Sequence, residues 1–132
     1  MSLIKFRGRM ESIRKWECGS LFMHYKKGEP DFARIHRLDF FCYVDPKTVG
    51  QFTGLKDKNK TEIYAGDFVQ SGGMTLLVVF SDDKAAFSGI SVDDKASCFY
   101  LHDIIDPDIF GGTGCEVIGN IHDNPELWEV QK

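Results

Sequence analysis

Three carboxylates crowd the stretch His102-Asp103-Ile104-Ile105-Asp106-Pro107-Asp108. Asp103, Asp106 and Asp108 are hard oxygen donors of the kind that hold Mg²⁺ or Ca²⁺. Their spacing does not fit an EF-hand loop, however, and Pro107 suits a solvated turn. The four cysteines, Cys18, Cys42, Cys98 and Cys115, form no CxxC pair and match no zinc-finger or ribbon spacing. Cys98 and His102 would share one face of a strand, but about 13 Å apart, too far to hold one metal. Gly111-Gly112-Thr113-Gly114 lacks the Gly-Lys-Ser/Thr ending of a phosphate loop. None of the four histidines, His24, His36, His102 and His122, sits beside a recognisable nucleophile. These residues assign no catalytic group, no metal ligand and no cofactor. A small metal-dependent hydrolase would have to rest on the Asp103–Asp108 cluster and scattered His and Cys.

Basic residues interleaved with aromatic ones suggest a different chemistry. Phe6 lies between Lys5 and Arg7, Trp16 follows Arg14-Lys15, and Tyr25 precedes Lys26-Lys27. Single-stranded nucleic acid is bound by this combination, rings for the bases and cations for the phosphates. Charge is distributed to match: residues 1–60 hold 13 Lys and Arg against 7 Asp and Glu, whereas residues 61–132 hold 3 against 13. Lys5, Arg7, Arg9, Arg14 and Lys15 are therefore the candidate nucleic-acid contacts. The same polarity also suits two halves that attract each other, within one fold or between subunits of a homo-oligomer.

These side chains must be positioned by sheet. The chain has 132 residues, 42% hydrophobic and 27% charged, enough for one globular core without a metal or disulfide staple. Eleven Phe and thirteen Gly favour short strands. Strands are expected at Ile4–Arg7, Leu21–Tyr25, Val49–Thr53, Met74–Phe80, Ala85–Ser88, Ser97–Leu101 and Glu116–His122. Phe32–Val44 is ambiguous, and divides into a loop followed by a strand from about Leu38. Asn124-Pro125-Glu126 reads as the start of a short helix, with Asn as cap and Pro at the first helical position. Gly66-Asp67 leading into Phe68-Val69 suggests a tight turn of the kind found in SH3-like barrels, fixed by the Asp side chain. The fold class expected is mainly β, at the margin of α+β: a small SH3-like barrel or a curled antiparallel sheet with a short C-terminal helix. One domain over 1–132 is expected, with room for a loosely packed part at 1–45 and a barrel-like part at 46–132. No apolar run approaches a membrane span and no signal peptide is readable, so the expected location is the cytoplasm.

Three blocks carry a family resemblance. They are Ile4–Arg7, the long stretch from Asp45 through Asn59 that continues over Glu62–Val69, and Glu116–Leu127. In this order, and over about 40 residues, they resemble the YopX family. The resemblance implies a small protein encoded by bacterial phages and prophages, mainly β with a barrel-like part. No activity is established for that family, so no catalytic residue carries over. Two positions depart from its pattern: Lys60 stands where members usually have Gly, and Ala65 where they often have Glu. Both fall at turns, which gives the block a structural meaning, with Asn59 able to adopt a positive φ in place of the missing Gly.

The function expected from all this is a non-enzymatic binding or assembly module that self-associates. Nucleic-acid binding by the basic half is the alternative, and hydrolysis the third.

Overall fold

Alternation of side chains between two faces organises the first half of the chain, as the computed structural model shows. The structure describes residues 4–106 and 114–129, and the chain divides into two compact units, Met1–Phe52 and Thr53–Lys132.

In the first unit β1 (Phe6–Arg9), β2 (Trp16–Lys26), β3 (Glu29–His36) and β4 (Phe41–Val44) form an antiparallel sheet in the order β4-β3-β2-β1. The start of β5 (Gly50–Lys56) pairs with β1 on its other side, Gln51 opposite Phe6 and Gly50 opposite Arg7. One face of this sheet is core: Ala33, Ile35 and Val44 are buried, with Phe6, Leu21, Met23 and Cys42 packed against them. The β2–β3 hairpin turns at Lys27 and Gly28, both at positive φ (54° and 81°), as a type I′ turn requires. Beyond β4, Asp45 N–H donates to Arg9 O (2.8 Å), so the end of β4 is drawn back toward the end of β1 and the sheet curls. A 3₁₀ turn follows at Pro46–Thr48; Asp45 caps it by accepting from Lys47 N–H at 3.0 Å.

The loop expected before Leu38 is instead β3. Both faces of β3 carry bulky residues, with Ala33 and Ile35 inward and Phe32, Arg34 and His36 outward, so the two-residue period was masked. Leu38 lies in the tight turn between β3 and β4, which is closed by Arg37 N–H donating to Phe40 O (2.8 Å), and is fully exposed.

In the second unit β6 (Glu62–Tyr64) neighbours the end of β5. A second antiparallel sheet has the order β10-β9-β8-β7-β11, formed by β7 (Asp67–Ser71), β8 (Met74–Ser81), β9 (Ala86–Ser91), β10 (Cys98–Tyr100) and β11 (Glu116–Asn120). It is packed on both sides. Val69, Leu76 and Val78 join Ile63, Leu101, Ile104 and Cys115 on one side; Phe68, Leu77 and Val92 meet Ile121, Leu127 and Trp128 on the other.

Two ends differ from expectation. The segment expected as a strand to Leu101 stops at Tyr100, and Leu101–Ile104 forms α1, whose buried Leu101 and Ile104 anchor it to the core. The C-terminal helix is a 3₁₀ turn, Pro125–Trp128, and Asn124 does not cap it. Its side-chain oxygen instead accepts from Asn120 N–H (3.2 Å), tying the turn to β11. The fold is thus mainly β, in antiparallel sheets, and among the described residues no barrel closes. No described helix is long and apolar enough to cross a membrane.

Candidate nucleic-acid interface

Strand register decides which of the predicted contacts can act together. Arg7 lies opposite Cys18 and Arg9 opposite Trp16, so both share the face of β2 that carries Trp16, Cys18, Ser20, Phe22 and His24. Lys5, two residues before Arg7, continues that row with its ammonium over the Phe52 ring at 4.9 Å. The Arg7 guanidinium lies over the Trp16 ring at 4.6 Å and that of Arg9 at 6.0 Å. Three of the five predicted residues are therefore aligned on the outer face. The other two are not. Arg14 and Lys15 lie in the β1–β2 connection, Arg14 at a positive φ of 53°. Lys15 is paired with Glu17 (3.3 Å), which also takes Arg37 (3.1 Å). Glu17 is buried, and it lies on the opposite side of β2 from Trp16 and Cys18.

The same outer face continues across β3 and β4. Phe22 is opposite Arg34 and His24 opposite Phe32; Arg34 is opposite Tyr43 and His36 opposite Phe41. At its centre the Arg34 guanidinium lies over Phe22 (4.4 Å), Phe41 (4.9 Å) and Phe32 (5.9 Å). His24 stacks on Phe32 (4.9 Å, 11° between planes), and its Nδ1 donates to the Asp31 carboxylate at 3.2 Å. His36 stacks on Phe41 at 5.1 Å, and Tyr43 meets Phe32 and Phe41 edge-on at 5.8 Å each. These rings remain open to solvent: Phe22 is 42%, Phe41 48% and Tyr43 58% exposed. Sequence reasoning missed Phe22, Phe32, Arg34, Phe41 and Tyr43. The available signal was their spacing of two, Phe22/His24, Phe32/Arg34/His36 and Phe41/Tyr43. On the inner side of β4, burial, reinforced by the Glu17 carboxylate, pushes the Cys42 thiol above its ordinary range.

Two buried carboxylates of the second unit, Asp57 and Asp67, are engaged in holding backbone. Asp57 accepts from Asn59 N–H (2.8 Å) and Thr61 N–H (2.9 Å) through one oxygen and from Val117 N–H (2.9 Å) through the other. Asp67 accepts from Tyr64 N–H (2.8 Å), and Glu62 accepts from the Tyr64 hydroxyl (3.1 Å). The positive φ of the first turn falls on Lys60 itself (67°), not on Asn59. Asp103 and Asp106 are joined through their backbones at the end of α1, Asp106 N–H donating to Asp103 O (3.3 Å), while Asp108 lies outside the described residues. Among the described residues no three His, Cys, Asp or Glu side chains gather closely enough to hold a metal. An open groove of about 390 Å³, bounded by Leu55, Ala86, Phe87, Tyr100, Leu101, His102 and Asp103, offers one imidazole and one carboxylate. These are consecutive on α1, so they diverge rather than converge.

The model of the family described as YopX protein matches residues 5–129. The chain belongs to the YopX family. Among solved structures, this YopX chain is similar to the crystal structure of protein EF1440 from Enterococcus faecalis, with 21% sequence identity and a TM-score of 0.52. The match covers 98% of this chain and 100% of that one. At that identity the likeness is one of fold. No curated protein matches the YopX chain.

Proposed function

We propose that this YopX protein is a non-enzymatic binding module whose ligand is nucleic acid, contacted through the outer face of β1–β4. One observation carries the reading: Lys5, Arg7 and Arg9 share a sheet face with the exposed aromatic side chains of β2–β4. Cations in a row supply the phosphate attraction, and rings beside them supply contact area. The family resemblance adds a setting, the cytoplasm of a bacterium carrying the phage or prophage. Fluorescence anisotropy with single- and double-stranded DNA and RNA at about 50 and 200 mM salt tests the reading. Binding that falls steeply with salt is expected. Absence of binding to every nucleic acid at the lower salt refutes it.

Self-association is the second reading, favoured by the β4 edge. β4 ends the sheet, and the Arg37–Phe40 bond sets Phe40, Cys42 and Val44 toward β3. The backbone groups of Phe41 and Tyr43 then face outward, open to a further strand. The acidic second half of one copy and the basic first half of another add attraction. Light scattering over a concentration and salt series checks it: a dimer or larger species that dissociates as salt rises is expected, and a monomer throughout rules it out.

A further inference from the structure

Resting on the nucleic-acid reading above, we infer that the face takes single strands, with unpaired bases stacking on Phe22, Phe41 and Tyr43 around Arg34. Several features point to this ligand rather than a duplex. The three rings lie on β2 and β4, on either side of β3, and each exposes between two-fifths and three-fifths of its surface. Exposed ring surface of this kind meets the π-face of a base, which a duplex hides inside its stack. Arg34 provides the second feature. Its guanidinium lies over Phe22 and Phe41, its Nε is buried without a hydrogen-bond partner, and among the described residues no carboxylate pairs with it. A cation held by ring faces keeps its charge available to an anion while staying fixed in orientation.

The third feature is the flanking charge. Lys5, Arg7 and Arg9 form a row along β1 on the same face; Arg7 packs over Trp16 with its Nε and Nη2 buried, so Lys5 and Arg9 lie where a phosphate backbone would run when its bases lie over β2–β4. Exposed aromatic surface alone would also suit a protein partner. A neighbouring row of Lys and Arg, with Arg34 in the middle of the rings, complements a polyanion instead. Stacking is tolerant of sequence, because every base presents a ring face, so the site distinguishes strandedness before sequence.

The test uses the full chain and labelled oligonucleotides of about 12 residues: oligo-dT, oligo-dA and oligo-U, each against a duplex of equal length. Anisotropy titrations are run with the wild type and with Phe22→Ala, Tyr43→Ala, Arg34→Lys and Arg7→Ala/Arg9→Ala. Single strands are expected to bind more tightly than duplex. Phe22→Ala and Tyr43→Ala are each expected to weaken single-strand binding by about tenfold, leaving the slope of log K against log salt unchanged. Arg34→Lys keeps the charge but loses the planar group, so it too is expected to lower affinity at constant slope. Arg7→Ala/Arg9→Ala is expected to flatten the slope. Phe22 and Tyr43 are exposed, and circular dichroism checks that their variants fold. Equal or tighter binding of duplex, or aromatic variants that bind like the wild type, overturns the stacking inference while the broader nucleic-acid reading stands. No binding to any of the oligonucleotides overturns both.

Discussion

Replacing Asp57 tests whether the Thr53–Val69 block is there to shape the chain. The side chain is 7% exposed and accepts three backbone N–H bonds, from Asn59, Thr61 and Val117. Bonds to a charged acceptor contribute about 1.5–3 kcal/mol each. Adding three at full value would take most of the stability of a domain this size, about 5–15 kcal/mol. Two discounts apply. The Asn59 and Thr61 amides lie at a turn where water can replace the carboxylate, and bonds to a shared group are not additive. The Val117 amide is in β11 and loses its acceptor outright. Asp57→Ala is therefore expected to cost about 3–5 kcal/mol, with Asp57→Asn, which keeps one acceptor oxygen, costing about 1.5–3 kcal/mol. Urea denaturation followed by circular dichroism measures both, and amide hydrogen exchange locates the loss, with Val117 losing protection first. If Asp57→Ala cost under about 1 kcal/mol, or Val117 kept its protection, the carboxylate would not be holding β11 and the reasoning would fail.

Other expectations follow from neighbouring positions. Lys60→Gly relieves a side chain held at φ 67° and leaves the Lys60 N–H bond to Asp57 O in place. It is expected to stabilise by about 0.5–1 kcal/mol in the same urea assay; a neutral or destabilising result contradicts it. Burial, together with the Asp57 carboxylate, pushes the Cys115 thiol up to about 11 from 9.0 despite the opposing charge of Lys58. Because the folded state holds this proton more tightly, its contribution is complete below pH 9 and is lost as pH rises through about 11. The stability lost between about pH 8 and pH 11 should be smaller in Cys115→Ala by about 2 kcal/mol, read from urea midpoints across that range. Gly89→Ala would place a Cβ 2.6 Å from Ile104 Cδ1 and 3.2 Å from Leu76 Cβ. A loss of about 1–3 kcal/mol is expected, partly recovered in Gly89→Ala/Ile104→Val, where the offending methyl is gone.

Much of the second unit was legible because its turns are written in residues with one job. Asp57 to Lys60 and Gly66-Asp67 announce corners, and Met74–Phe80 announces a buried strand; the structure places all three as expected. β3 was hidden by its composition: alternation marks a strand only when one face is polar, and Phe32 and Arg34 look as core-like in sequence as Ala33 and Ile35. α1 has four residues, too few for a helical period to register, and it exists through the burial of Leu101 and Ile104 rather than through propensity. Asn124 matched the cap signal, but a side-chain amide can satisfy either a helix end or a neighbouring strand, and the choice of Asn120 depends on tertiary placement. The candidate site was half readable. Lys5, Arg7 and Arg9 stood out by charge and by spacing of two, whereas Arg14 and Lys15, close in sequence, were separated from them by a turn. The aromatic rows come from three strands and needed the register to bring them together.

The curled sheet of β1–β4 packs its buried cluster on one face, with Ala33, Ile35 and Val44 anchoring it from beneath. Side chains above bear little of the folding load, which makes positions 22, 41 and 43 a canvas that can be repainted while the frame stays intact. Divergent copies of this chain can thus acquire new ligands by exchanging a few outward residues, and a library randomised there should yield mostly folded clones.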